Sequence, residues 1–460
     1  MTNIIKTRTD TLVAAGLFFL LFLGYSFLAG LSLFIPFLLM AYALHQVFFK
    51  RSDGRTLLHL GLLLALLAFM TSAMQDYSSF SPYYIPLVSV PLLVMLLFND
   101  LQLAFSMSLM SSALVTLMVG GGADFLLITF IGGLAGIYAV REARTRGTVL
   151  RAGLLVGVVQ VLGYLLFHPE LSQAAFKMGL KPLFINGLVS AMVVITTLKI
   201  FEYLFGELTN FSLLELSDSL NQPLLKRLAF EAPGTYHHSL ILSNLAGAAA
   251  DAIGANQLLA RVGAYYHDIG KLVKPEYFAE NQMMTDNKHD ILEPSMSRLV
   301  ILNHVKEGVD IAHKAGLSQR IIDFIEQHHG TSLIFYFYQK ALEEGELGDI
   351  PEASYRYLGP KPQTREVAIV MLADAVEGAT RSLDEHTPTK IEEVVRKVVN
   401  NKFIDGQLDE CNLTLREIEQ IGQVFSRVLS AMYHVRVKYP NAFPKTNGHS
   451  GQEPAVPDPV

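Results

Sequence analysis

Eight runs of apolar residues, each long enough to cross a bilayer, fill the first 205 residues and constrain the chain more than any other feature. A helix rises about 1.5 Å per residue, so roughly 20 mostly apolar residues cover a hydrocarbon core of about 30 Å. The runs lie at Leu12–Leu28, Leu33–Phe49, Leu57–Met74, Tyr83–Phe98, Leu101–Val119, Phe125–Val140, Val149–Phe167 and Leu183–Leu204. Only Ala29-Gly30-Leu31-Ser32 separates the first two, and Pro36 follows, so one bent element and a count of seven spans is the alternative.

Lys and Arg set the expected orientation. Lys6 and Arg8 precede the first run, Lys50, Arg51 and Arg55 follow the second, and Arg141, Arg144, Arg146 and Arg151 surround the sixth-to-seventh connection. With eight spans these clusters share one side, which the rule makes cytoplasmic, and both termini join them. The connections around Asp76 and Gly120-Gly121-Gly122 lack Lys and Arg; Lys177 and Lys181 are the one contrary signal. No cleavable signal peptide is expected, because the first run continues into further spans without a small-residue cleavage site. Tyr83 and Tyr84 suit an interfacial position in a chain without Trp.

Charge is nearly absent within the runs. His59 and Lys199 lie near run ends, where snorkelling accounts for them. Transporters and pumps keep ionisable groups near the bilayer midplane, so this half reads as anchor and sensor and not as a conduit. Gly132-Gly133-Leu134-Ala135-Gly136 allows close helix packing.

After residue 205 the composition becomes that of an ordinary globular domain, with most of the histidines. The net charge of −6 argues against binding a nucleic-acid polymer, which calls for a basic face. The single cysteine, Cys411, excludes an internal disulfide and suits a reducing compartment. Residues 206–234 read as a helical linker, with Pro223 starting a new helix and Ala232-Pro233-Gly234 breaking it. Residues 235–439 show helical periodicity near His237–Ile253, Asn256–His267, Pro294–Glu307, Val309–Ala315, Ser318–His328, Arg365–Ser382, Thr389–Asp405 and Leu415–Tyr439, with no sustained strand alternation. Residues 440–460, rich in Pro, Gly and Asn, predict a disordered tail. The fold class is therefore all-α: a polytopic transmembrane bundle at 1–205 followed by a helical domain.

Within that domain, His237-His238, His267-Asp268, Asn303-His304, His328-His329 and Asp374 each sit in or beside an apolar helical run. A lone buried His is usually just hydrogen-bonded, but five such places are hard to satisfy without a cation. Consecutive helical residues point about 100° apart, so His267 and Asp268 cannot share one core face, yet both can reach an ion off the helix end. Gly270 is placed to close that helix as a C′ glycine. About five His and two Asp exceed the needs of one ion and fit two that share a carboxylate, the arrangement used for phosphoester hydrolysis.

The order H…HD…H…HH…D resembles the HD superfamily of metal-dependent phosphohydrolases. Longer stretches resemble its seven-transmembrane family of cyclic di-AMP phosphodiesterases: Ala232-Pro-Gly-Thr-Tyr-His-His-Ser239, His267-Asp-Ile-Gly-Lys271, His328-His-Gly-Thr-Ser-Leu333, Phe335-Tyr-Phe-Tyr338 and Asp405-Gly-Gln-Leu-Asp-Glu-Cys411. The large extracytoplasmic insert usual in that family is reduced here to Ala29–Ser32. The resemblance implies a bacterial inner-membrane enzyme with its HD domain in the cytoplasm. One divalent transition metal, Fe or Mn, would be held by His238, His267, Asp268 and Asp374, and a second by His304, His328, His329 and the shared Asp268. His237 would be structural. A water acidified between the ions would attack phosphorus and open cyclic di-AMP to pApA. Lys271, and less directly Arg381, would spread the phosphoryl charge, while Thr331, Ser332, Tyr336 and Tyr338 would contact the bases. The expected partners are a cyclic dinucleotide and the lipid bilayer, with a homodimer as an open alternative. Two other readings remain: a phosphodiesterase for cyclic di-GMP, whose hydrolases carry HHE…GYP where this chain has His-His-Gly-Thr-Ser-Leu, and a non-catalytic nucleotide receptor.

Overall fold

The computed structural model describes residues 34–46, 54–76, 81–170, 172–219, 221–282, 287–343 and 351–433, with single positions between 13 and 26. The expected first span, the Ala29–Ser32 break and the 440–460 tail fall essentially outside these residues. Among the described residues, five helices are long and apolar enough to cross a membrane: Gly54–Gln75, Leu101–Val119, Ala123–Val140, Arg146–Phe167 and Gln173–Phe205. Phe34–His45 and Pro82–Phe98 are shorter. Leucines and phenylalanines such as Leu58, Leu62, Leu66 and Phe69 lie exposed on the bundle exterior, as lipid requires and water would not tolerate in such number.

Small residues set the helix spacing in this bundle. A Cβ at Gly133 would meet the Ser108 side chain, and one at Gly136 would meet Leu92 and Val156, so the expected glycine-rich stretch is indeed a packing surface. A second seam was not singled out from the sequence. A Cβ on Gly187 would lie 2.2 Å from the Gly153 carbonyl oxygen, which shows how closely Arg146–Phe167 and Lys181–Phe205 approach.

The last span leads into the second half through a tight joint. Gly206 takes the left-handed conformation (φ 68°) that ends the span, as C′ glycines do. The buried Glu202 carboxylate accepts from Thr209 N (3.1 Å), Thr209 Oγ1 and Ser212 Oγ (2.7 Å). Lys199 is more than a snorkelling side chain, since its ammonium donates to Ser212 Oγ at 2.8 Å. The short helix Asn210–Ser217 that follows buries Leu213 in the core of the second half. Its Leu216 carbonyl accepts from Tyr266 Oη (2.8 Å), and Glu207 pairs with Arg320 at 2.8 Å.

The second half is a packed set of helices, Pro223–Glu231, Pro233–Ala252, Gln257–Tyr266, Pro294–Lys314, Gln319–Gln327, Phe335–Glu343, Arg365–Arg381, Pro388–Ile404 and Leu415–Met432. Among the described residues the only β pairing is an isolated bridge between Leu333 and Arg356. The two helices expected between 294 and 315 are one, because Gly308 is tolerated mid-helix where a close neighbour needs the space. Helix Phe335–Glu343 was not separated from its neighbours in the sequence reading; its four leading aromatics show no clean helical stripe.

Candidate metal centre

Five helices converge on one point. His238 comes from the second turn of Pro233–Ala252, His267 and Asp268 from the end of Gln257–Tyr266, and His304 from the middle of Pro294–Lys314. His328 and His329 follow Gln319–Gln327, and Asp374 lies within Arg365–Arg381. The α-helix stops at Tyr266, and Ile269–Val273 forms a tighter 3-10 turn. That change of pitch lets the neighbours His267 and Asp268 both be buried at the same centre.

Asp268 is the hub. Its Oδ2 lies 3.1 Å from His267 Nε2 and 3.9 Å from His238 Nε2. Its Oδ1 lies 3.4 Å from His304 Nε2 and 3.6 Å from His328 Nε2. Ligand atoms of His238, His267 and Asp268 fall within 4.8 Å of one another, and so do those of Asp268, His304, His328 and His329. Asp374 closes the other side, 3.2 Å from His238 Nε2 and 3.8 Å from His329 Nδ1. All seven expected ligands are thus brought together, six of them in two groups that meet at Asp268 and Asp374 beside both. His237, by contrast, points to solvent.

The donor set fits cations. Nδ1 of His267 donates to the Ala264 carbonyl (2.7 Å), that of His304 to Ile301 O, and that of His328 to Phe324 O and Ile325 O (3.0 and 2.9 Å). A carbonyl can only accept, so each Nδ1 carries the hydrogen, and Nε2 of the neutral ring keeps its lone pair. Nε2 of all three rings and Asp268 Oδ1 are buried with no hydrogen-bond partner. Four bare acceptors aimed at one another would each cost about 1–3 kcal/mol, and divalent ions relieve them all.

Burial works against the Asp268 carboxylate, but the Lys271 ammonium beside it helps hold its pKa well below the ordinary value. Burial pushes His329 well below the usual histidine value, so this ring too is neutral with a lone pair to offer. His238 differs. Burial would lower it, yet the hydrogen bonds with Asp374 and Glu377 push it up to about 10. An ion taking its Nε2 must displace that proton, so metal uptake at this ring competes with acid.

Several supporting residues carried no mark in the sequence. Glu377, buried and one turn beyond Asp374, accepts from His238 Nδ1 at 2.9 Å and fixes which nitrogen faces the centre. Removing that acceptor in Glu377→Ala should weaken divalent-metal affinity about tenfold to a hundredfold, read by chelator competition. Tyr357 stacks on His329 with ring centroids 4.1 Å apart. Gln407 pins the loop after His329, accepting from Thr331 N (2.9 Å) and donating to Thr331 Oγ1 (3.0 Å). Gly330 has φ 53°, and a Cβ there would strike Gln407 Oε1, so the position suits only glycine. The motif at 405–411 therefore braces the loop that follows His328 and His329.

Of the remaining expected site residues, Lys271 touches the cluster directly. Lys271 is largely buried between Asp268 Oδ2 (2.8 Å) and Glu280 Oε1 (2.6 Å), so its charge is already compensated by two carboxylates. A Cβ on Gly234 would clash with the Glu280 carbonyl, so the start of the His238 helix rests directly on that segment. Thr331 is engaged by Gln407, and Ser332 Oγ accepts from Lys402 Nζ at 2.6 Å. Tyr336 is exposed, while Tyr338 meets Tyr355 in a small apolar cluster. Among the described residues neither tyrosine makes a hydrogen bond or ring contact with the seven clustered side chains. Arg381 is half exposed and reaches only Glu377, at 3.5 Å. Beside His329 and Tyr357 a cavity of about 270 Å³ is floored by Leu302, Val305 and Val309. Gly270 also differs from expectation. It has no left-handed φ; it is instead pressed against the His304 helix, where its missing side chain makes room.

Comparison with known proteins gives this geometry a family. Residues 19–209 match the family described as 7TM receptor with intracellular HD hydrolase, and residues 235–379 match the HD domain. The chain belongs to the seven-transmembrane HD-domain family. The chain is 39% identical over 364 residues to the cyclic-di-AMP phosphodiesterase PgpH of Listeria monocytogenes, covering 78% of this chain and 50% of that protein. It is also 39% identical over 374 residues to PgpH of Bacillus subtilis, covering 79% and 52%. The chain thus spans about half the length of these relatives. The crystal structure of the L. monocytogenes PgpH HD domain in complex with cyclic di-AMP is 50% identical, covering 47% of this chain and 100% of that one with a TM-score of 0.45.

Proposed function

We propose that this chain is a membrane-anchored, metal-dependent phosphodiesterase that opens cyclic di-AMP to linear pApA. The observation that carries the reading is the pair of ligand groups meeting at Asp268, with three imidazole Nε2 atoms and one carboxylate oxygen bare and convergent. The names of the curated relatives support the substrate. The match of residues 19–209 to the 7TM family and the arginines at 141–151 support an inner-membrane anchor with the HD domain on the cytoplasmic side.

His238, His267, Asp268 and Asp374 would hold one divalent ion, and His304, His328, His329 and Asp268 the other. When bound, two such ions supply an acidified water and neutralise charge on the phosphoryl oxygens. The protein's own part is preorganisation. Backbone carbonyls fix three ring tautomers, Glu377 fixes the fourth, and Lys271 keeps Asp268 anionic and aimed. Lys271 acts through Asp268, since two carboxylates already occupy its charge.

The metals see only phosphate, so base choice rests on contacts beyond them. Adenine presents an exocyclic amine where guanine presents a carbonyl, and a site matched to one leaves a buried group unsatisfied with the other. That mismatch costs about 1–3 kcal/mol, or roughly tenfold to a hundredfold per base. The purified protein with Mn²⁺ should therefore show higher kcat/KM for cyclic di-AMP than for cyclic di-GMP. Equal values, or the reverse order, would refute the adenine reading while leaving the two-metal phosphodiesterase intact. Nucleotide binding without turnover under any metal would instead favour a receptor.

A further inference from the structure

A cyclic dinucleotide brings two phosphodiesters, and only one can be cut at a time. The inference here rests on the cyclic-dinucleotide reading above. The second phosphate keeps a full negative charge close to the centre and needs a cation of its own.

Most described cations around the site are already committed to carboxylates. Lys271 lies between Asp268 and Glu280 at 2.8 and 2.6 Å. Arg356 forks onto Asp405 at 2.9 and 3.1 Å and also meets Glu352. Arg381 rests on Glu377. Lys402 is different. Its ammonium donates to the Ser332 hydroxyl at 2.6 Å, and it forms no ion pair with a described carboxylate.

Its position joins it to the metal-ligand loop. Ser332 N donates to His329 O (3.1 Å), and Ser332 O accepts from Tyr357 N (3.0 Å). The Tyr357 ring stacks on His329, so Lys402, Ser332, Tyr357 and His329 form one continuous patch. Burial pulls the Lys402 ammonium down while Asp374 pulls it back up, which puts it within electrostatic reach of the cluster. A partly desolvated ammonium beside a rotatable hydroxyl is a phosphate-oxygen clamp: Lys supplies charge and donors, and Ser a further donor once Lys402 turns to the ligand.

We propose that Lys402, together with Ser332, binds the phosphodiester of the cyclic dinucleotide that is not being cut. The role is substrate binding and not metal chemistry, which separates it from Lys271.

The test uses the full chain in detergent or nanodiscs with Mn²⁺, and two substrates. Cyclic di-AMP has two phosphodiesters; bis(p-nitrophenyl) phosphate has one. Lys402→Met should raise KM for cyclic di-AMP about tenfold to a hundredfold more than for the nitrophenyl diester, with bound metal retained. Lys402→Arg should recover much of that selective loss, and Ser332→Ala should show a smaller one in the same direction. Equal losses on both substrates, or no change on cyclic di-AMP, overturn the assignment. A wild-type protein that cuts the nitrophenyl diester but no cyclic dinucleotide overturns the underlying reading instead, and Lys402 with it.

Discussion

Asp268→Ala loses bound metal and turnover together, while the helices around it remain folded. The expectation follows from position. The two oxygens of this carboxylate face different imidazole pairs, so removing it opens both groups at once. A nucleophile activated by metal and the charge neutralisation that accompanies it contribute several kcal/mol, so the loss should reach about a thousandfold in kcat or more. Lys271 does not become a lone buried charge in this variant, because Glu280 remains 2.6 Å away. That partner is why folding should survive. Metal analysis and circular dichroism on one sample decide the matter: two ions still bound to a folded Asp268→Ala protein would remove Asp268 from the bridging role.

Gly270→Ala should be nearly as damaging, by a different route. A Cβ at Gly270 would sit 1.8 Å from the His304 carbonyl oxygen and 2.6 Å from Gly308 N. Both are backbone atoms of the helix Pro294–Lys314, which cannot swing aside as a side chain does. Overpacking usually costs about 1–3 kcal/mol, and backbone against backbone belongs at the upper end or above it. A loss of about 3 kcal/mol lowers the melting temperature of a domain this size by roughly 6–12 °C. The displaced helix carries His304, so metal affinity should fall too. Gly378→Ala, in the helix Arg365–Arg381, is the control, since a Cβ there would meet no neighbouring atom within 4 Å. A Gly270→Ala protein that melts like wild type would show that the helix approach is looser than described.

The seven clustered side chains were legible in the sequence because each is a polar residue inside an apolar helical run. Such a residue is costly unless something satisfies it, and that cost is visible without coordinates. The long spans were legible for a similar reason: lipid permits few alternatives to a helix. What escaped is held by contacts between distant segments. Glu377 meets His238 across 139 positions, and nothing local marks it except that it lies one turn beyond Asp374 on the same face. Lys402 resembles any surface lysine in the last turn of a helix until Ser332 is found beside it. Thr331 and Ser332, which sequence proximity to His328-His329 suggested as base contacts, have partners from a distant segment that the sequence did not mark. Their side chains are instead occupied by Gln407 and Lys402. Gly270 was assigned a backbone role because glycine after a helix commonly has one, whereas its value here lies in what it leaves out.

The joint after the last span ties the apolar half to the helices that carry the clustered His and Asp side chains. Glu202 clamps Thr209 and Ser212 to the end of that span, and the short helix they begin is gripped by Tyr266 and, through Glu207, by Arg320. Tyr266 immediately precedes His267, and Arg320 lies on the helix that leads to His328. Each grip therefore falls on a different ligand group. A rotation of the span by a few degrees would tug the two halves of the ligand cage unequally, changing their spacing without breaking either. Thermodynamic reciprocity makes the same linkage work backwards: whatever tightens the cage leaves its mark on the angle of a helix inside the bilayer.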